Sequence, residues 1–230
     1  VPDFGIFLGC SILAAVAVAA TNDAGDLHPV STENTSVVVE TASLVTPPSL
    51  PAATPFASAL TDAAKAQIGV TVTYDPAYVG LAFPNGDIDR SRGVCSDVII
   101  RALRDAHDID LQALVNADMK RAFGAYPKIW GLKRTDRNID HRRVPNLETY
   151  FARLGLAQEV STDVSDYLPG DIVTWRLPGN LPHIGIVAQT STPTGTPLIL
   201  HNISAGARRD DILFKYPITA HFRPEAGAFK

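Results

Sequence analysis

Gly93-Val94-Cys95-Ser96-Asp97-Val98-Ile99-Ile100-Arg101-Ala102-Leu103 is the stretch around which the rest of the chain is arranged. Val94, Val98, Ile99 and Ala102 recur at the spacing that gives a helix one buried stripe. Upstream, Pro84-Asn85-Gly86-Asp87 and Arg90-Ser91-Arg92 read as loop, so the helix is expected to begin close to Cys95. A thiol at that place faces the positive end of the helix dipole and unpaired backbone N–H groups. Both favour the thiolate, so a lowered pKa is expected. The same N–H groups are placed to hold an oxyanion. Taken alone, a helix cysteine reads equally as a small buried hydrophobe. The rest of the chain decides between the two.

A chain of 230 residues has room for one substantial domain and a tail. Its net charge of −4 argues against a nucleic-acid partner. The charge is uneven: Asp3, Asp23, Asp26, Glu33, Glu40 and Asp62 all precede Lys65, the first Lys or Arg. From Lys65 onward the chain is mildly basic, which suits a polyanionic surface such as a cell wall. The other cysteine, Cys10, lies in an apolar run over 6–20 that closes on Ala17-Val18-Ala19-Ala20. That run is short for a membrane span and fits a secretory signal with a small-residue cleavage site. Residues 1–20 therefore read as a signal peptide. The mature chain is expected to have no stable membrane span and to work in the periplasm, at the cell envelope or outside. Residues 21–56, rich in Ser, Thr and Pro, read as a flexible linker, and 57–230 as the domain. Cleavage leaves Cys95 as the one thiol. Export compartments oxidise thiols into pairs, so a single one there points to reactivity.

Helical periodicity predicts helices over 57–69, with Thr61 or Asp62 near the cap, over 109–123 and over 145–154, the last with Pro145 near its start. Residues 70–74 alternate as a short strand, and 126–143 form a polar, basic segment without a clear helix. The pattern then changes. Asp171-Ile172-Val173-Thr174-Trp175, His183-Ile184-Gly185-Ile186-Val187-Ala188, Leu198-Ile199-Leu200-His201-Asn202-Ile203 and Ala220-His221-Phe222-Arg223 are apolar runs separated by Pro and Gly turns. They read as an antiparallel sheet. Helices followed by strands give an α+β fold, N-terminal helices packed on a C-terminal sheet.

His183 opens one of these strands and His201 lies in the next, so antiparallel pairing brings them together at one sheet edge. A cysteine nucleophile needs a base, and the base needs a partner that fixes its tautomer. Cys95 is thus the candidate nucleophile, His183 the base and His201 the third residue, with Asn202 open as an alternative to His201. Asp97 either binds a substrate amine or caps its own helix. Tyr74 and Tyr78 either line the cleft or pack. Arg142 or Arg143 is either a clamp for a substrate carboxylate or a solvated charge. Asp87-Ile88-Asp89 lacks the Gly and Glu of a calcium loop, and no zinc-type spacing links Cys95, His183 and His201. No metal or cofactor is expected.

The order of a helix-start cysteine, Pro-Gly-Asp-Ile-Val (169–173), His-Ile-Gly-Ile-Val (183–187) and a strand with a second histidine resembles the NlpC-type cell-wall cysteine peptidases, papain-like in fold. By that resemblance Cys95, His183 and His201 match a Cys-His-polar triad. More closely, residues from about 57 to 223 are similar to a bacterial family catalogued as domain of unknown function 1287. The shared wording includes Tyr-Asp-Pro (74–76), Gly-Val-Cys-Ser-Asp-Val (93–98), Ile-Asp-Leu-Gln (109–112), Tyr-Pro-Lys-Ile-Trp-Gly-Leu (126–132), Asn-Ile-Asp-His-Arg-Arg-Val-Pro-Asn-Leu (138–147) and His-Asn-Ile (201–203). NlpC-type enzymes that cut beside D-glutamate usually have Asp before the cysteine and Ser-Gly after it. Here Val94 precedes and Ser96-Asp97 comes after, which implies a different substrate pocket. The expected function is an exported cysteine hydrolase cleaving amide bonds in peptidoglycan peptides. Alternatives are an amidase, thioesterase or acyltransferase on another substrate, and a non-catalytic wall-binding module.

Overall fold

Thr54 and Pro55 start the first helix, α1 (Pro55–Lys65), in a computed structural model that describes residues 50–229. The Thr54 hydroxyl accepts the Ala57 N–H at 3.1 Å, and Pro55 brings its φ preset for the first turn. The helix therefore begins before residue 57 and takes in the last two residues of the expected linker. Thr61 is not near the cap. It lies inside α1, its hydroxyl bonded to the carbonyls of Ala57 (3.0 Å) and Ser58 (2.9 Å). The signal segment over 1–20 and nearly all of the linker over 21–56 lie outside the described residues.

The expected strand over 70–74 is reduced to β1 (Thr73–Tyr74), which pairs in parallel with β2 (Arg92–Gly93). Its earlier residues are used in a turn, where Val70 and Thr71 both donate their N–H to the Gln67 carbonyl. Next comes α2 (Cys95–His107), starting at the cysteine as expected. Its burial is wider than one stripe: every residue from Cys95 to Leu103 is buried, Ser96, Asp97 and Arg101 included. The polar ones are all partnered. Arg101, only 1% exposed, bonds the Asp87 carboxylate at 2.9 Å, the Thr71 hydroxyl at 3.0 Å and the Arg92 carbonyl at 3.0 Å. That side chain ties the loop before Cys95 to the middle of α2, and it uses Asp87 as a counter-ion.

Two further helices come next, α3 (Leu111–Ala122) and α4 (Val144–Arg153). Between them lie short 3-10 turns at Phe123–Ala125 and, within the basic segment, at Asp140–Arg142. The remainder builds a six-stranded sheet from β3 (Ala157–Gln158), β4 (Ile172–Leu177), β5 (Leu181–Ser191), β6 (Pro197–Asn202), β7 (Ala207–Asp210) and β8 (Ile218–Phe222). The order is β3-β8-β4-β5-β6-β7, antiparallel throughout. The α+β architecture is as the sequence predicts. Its two edge strands, β3 and β7, are not legible there, because one is two exposed residues and the other is Ala-Arg-Arg-Asp. Short or charged edges resist pairing with a foreign chain and carry no apolar signal.

Adjacent residues of the central strands face opposite sides. Ile172, Ile186 and Leu200 join Ile99, Leu103, Leu147 and Phe151 in a core between sheet and helices. Val173, Trp175, Val187 and Ile199 face a second cluster closed by Tyr167, Ile212 and Leu213. Both faces being covered, the strands read as continuous apolar runs. Among the described residues no helix is long and apolar enough to cross a membrane.

Gly185 sits where β5 and β6 press together: a methyl group on it would lie 2.5 Å from Ile199 Cγ2 and 3.2 Å from His201 Cβ. Gly185→Ala is expected to cost about 1–3 kcal/mol of stability through overpacking, measured by denaturant unfolding. An unchanged midpoint would show that the strands part without strain.

Candidate active site

Four contacts hold the start of α2 in place. Asp97 Oδ2 accepts the Val94 N–H at 2.7 Å, closing the first turn. Arg142 donates from Nε (2.9 Å) and Nη2 (2.8 Å) to the two Asp97 oxygens, and this ion pair is buried on both sides. The Ser96 hydroxyl donates to the Arg142 carbonyl at 2.7 Å. From the sheet, Asn202 Nδ2 donates to the Gly93 carbonyl at 2.9 Å, and its Oδ1 accepts the Gly206 N–H at 3.1 Å. Cys95 is thereby anchored to the basic segment and to the end of β6.

Above Cys95 lies a cleft of about 460 Å³ whose lining includes Tyr74, Cys95, Trp130, Arg142, Arg143, His183 and Asn202. The rest of its wall is mostly apolar, with Pro76, Val94, Ile139, Pro145, Leu181 and Ile203 among the contributors. Behind it the two histidines meet: His183 Nε2 is 3.0 Å from His201 Nδ1, and both rings are buried. His201 Nε2 is 3.1 Å from Asp210 Oδ2, and Arg208 bonds the same carboxylate oxygen. Register places His183 opposite Trp175, with ring centroids 5.8 Å apart. His201, not Asn202, is the partner of His183.

The other expected site residues separate. Asp97 caps its helix and is not among the residues lining the cleft. Arg142, expected as a free clamp for a substrate carboxylate, has two nitrogens committed to Asp97. Arg143 stacks on Trp130, its guanidinium carbon 4.2 Å from the ring centre, with Asp140 at 3.4 Å. Tyr74 lines the cleft and is 37% exposed. Tyr78 does not line it: its hydroxyl donates to Asp136 at 3.0 Å and accepts from Asn138 at 2.9 Å. Asp210 has no sequence signal, being embedded in a charged edge strand.

The electrostatics reverse one expectation. Burial pushes the Cys95 thiol up to about 11, against the pull of backbone N–H groups of Ile184, Ser96 and Cys95 itself, and the Asp97 charge adds to the rise. Desolvation of a thiolate outweighs the helix-end dipoles here. His183 is pushed down to about 3 by burial, with His201 adding to the fall, and His201 falls to about 4 by burial although Asp210 opposes it. Tyr74 rises to about 12 by burial, then by the charges of Cys95 and Asp97. The resting pair at neutral pH is a thiol and a neutral imidazole.

Among the described residues no group of three or more His, Cys, Asp or Glu is arranged to hold a metal ion. A second groove of about 590 Å³ contains His221 and Arg223, both bonded to Asp171 (2.7–2.9 Å), and has no thiol.

Residues 61–224 match the family described as Domain of unknown function (DUF1287). The chain belongs to that family. An Escherichia coli (strain K12) relative, "Uncharacterized protein YijF", is 54% identical over 165 residues, 72% of this chain and 80% of that one. Among solved structures, that of NlpC1 from Trichomonas vaginalis matches at 17% identity with a TM-score of 0.40, taking in 75% of this chain and 45% of that one. The DUF1287 match covers the helices α2 to α4, the sheet and every site residue named above.

Two solution measurements test the site of this DUF1287 domain. Alkylation of Cys95 by iodoacetamide is expected to be slower at neutral pH than that of a free thiol and to climb as pH rises toward 11. A fast, pH-independent rate would show a preformed thiolate. His141, buried and pushed down to about 4, joins His183 and His201 as groups that unfolding releases to protonate. Their folded pKa values lie below the unfolded 6.5, so the unfolded chain binds more protons as pH falls. The stability conferred by keeping these histidines neutral is full above pH 6.5 and falls away as pH drops toward 4 and then 3, which thermal melts across that range would display; a flat profile would contradict it.

Proposed function

We propose that this DUF1287 protein is an exported cysteine hydrolase of papain-like, NlpC-type design that cleaves amide bonds in peptidoglycan peptides. The observation that carries the proposal is the placement of Cys95 and His183 in one cleft, with His183 bonded at 3.0 Å to His201. The export reading and the family-like order of the three residues support the wall as substrate. The mildly basic chain from Lys65 onward fits a polyanionic polymer.

The reaction follows from the neutral resting pair. His183 takes the Cys95 proton as the sulfur attacks the substrate carbonyl, so that no isolated thiolate has to form in the buried site. Backbone N–H groups of Ile184, Ser96 and Cys95 meet the charge on sulfur, and those of Cys95 and Ser96 turn to the tetrahedral oxyanion once the sulfur is bonded to carbon. The His183 cation then protonates the leaving amine, giving a Cys95 thioester. Water, deprotonated by His183, hydrolyses it and restores the thiol. Tyr74 and the Arg143–Trp130 stack form the substrate walls on this reading.

Incubating the protein with purified sacculi and identifying soluble muropeptides by mass spectrometry tests the proposal. New fragments are expected with the wild type and none with Cys95→Ala, while His183→Ala should lower the rate by about a thousand-fold or more. An unchanged muropeptide profile, or equal release by Cys95→Ala, overturns it. The mostly apolar wall, with Asp97 and Arg142 neutralising each other, favours one second reading: an acyl donor without charge beside the scissile bond, such as a thioester. A stable acyl mass on Cys95 from acyl thioesters, without muropeptide release, would select that reading.

A further inference from the structure

The contact between β6 and β7 determines more than the position of His201. Asp210 Oδ2 lies 3.1 Å from His201 Nε2, and Arg208 donates to the same oxygen. A carboxylate held by a guanidinium is ionised and only accepts hydrogen bonds, so the hydrogen in the first contact belongs to His201 Nε2. Burial keeps both histidines neutral at neutral pH. A neutral imidazole has one N–H, which leaves His201 Nδ1 as a lone pair. The 3.0 Å contact to His183 Nε2 then requires the hydrogen on His183. His183 Nδ1 is left unprotonated, and among the described residues it makes no hydrogen bond.

We propose that Asp210 is a positioning residue which, acting through His201, fixes the His183 tautomer whose Nδ1 can take the Cys95 proton. Its use in turnover rests on the hydrolase reading above; the tautomers themselves do not. When the proton moves, the S–H bond breaks and an N–H bond forms at His183 Nδ1. The ring becomes a cation with both nitrogens protonated. His201 stays neutral, no proton passes to Asp210, and the Asp210 charge stands behind the cation. In Asp210→Ala the one oxygen that both Arg208 and His201 Nε2 meet is gone, so no carboxylate accepts from His201 Nε2. The series of hydrogen bonds is then free to reverse, so that in part of the population His201 Nδ1 donates to His183 Nε2 and His183 Nδ1 carries the hydrogen. Asp210→Glu keeps the carboxylate.

Nitrogen-15 NMR of the imidazoles, recorded on the ligand-free full chain at neutral pH, reads this directly. Wild type and Asp210→Glu are expected to show the Nε2–H tautomer for both His183 and His201, and Asp210→Ala a mixture that includes the Nδ1–H tautomer. On a substrate that the wild type turns over, Asp210→Ala should lower kcat by about ten-fold or more with KM little changed, with recovery in Asp210→Glu. His183 Nδ1–H in the wild type, or an Asp210→Ala variant with unaltered tautomers and kcat, overturns the proposal. Should Asp210→Ala fail to fold, the wild-type and Asp210→Glu spectra decide it. Absence of turnover by the wild type would count against the hydrolase reading and leave the tautomer result standing.

Discussion

The buried ion pair between Asp97 and Arg142 is the constraint on which the site depends. Asp97 closes the first turn of α2 with one oxygen and holds Arg142 with both. Through the Arg142 carbonyl and Ser96, the same pair sets where the basic segment crosses the helix start. A buried pair of this kind is weak evidence for net stability, because desolvating two charges offsets most of their attraction. Loss of one partner is a different matter, since it strands a charge and typically costs about 3–5 kcal/mol. The pair therefore acts mainly as a register pin. Arg101 does similar work one turn further on, where its guanidinium collects Asp87, Thr71 and Arg92 around the loop that leads to Cys95.

Burial that secures this geometry also sets the protonation states. A helix N-terminus by itself lowers a thiol pKa, and the N–H groups that do so are present around Cys95. They are outweighed because Cys95 is 5% exposed and has the Asp97 carboxylate close by. The histidines are held neutral by the same dry surroundings. On the proposed hydrolase reading, the proton moves between a neutral thiol and a neutral imidazole instead of leaving a standing thiolate, and the orientation of the histidine ring matters more than the resting acidity of the cysteine.

Much of the architecture was legible in the chain. The helical periodicity of 109–123 and 145–154 anticipates α3 and α4 to within a few residues, and the apolar runs punctuated by Pro and Gly anticipate β4, β5, β6 and β8. Local pattern failed where polar groups decide the structure. Thr61 or Asp62 is expected near the cap, yet Thr54-Pro55 starts the helix and leaves Thr61 to bond back within it. Asp97 has two readings, and its bond to the Val94 N–H together with Arg142, far along the chain, separates them. Asp210 has none, since an Ala-Arg-Arg-Asp edge strand carries no periodic signal.

Legible along the chain are the elements and the reactive candidates: an α+β pattern, a cysteine at a helix start, and histidines in successive strands. These follow from side-chain periodicity and turn chemistry, which act between near neighbours. Which polar groups meet, and how they are charged, follows from the packing of distant segments. That packing joined His183 to His201 and His201 to Asp210, gave Asn202 to the Gly93 carbonyl, and raised the Cys95 pKa that the helix dipole alone would lower. Hydrogen-bond partners and desolvation depend on residues brought together from distant parts of the chain, so no local pattern encodes them.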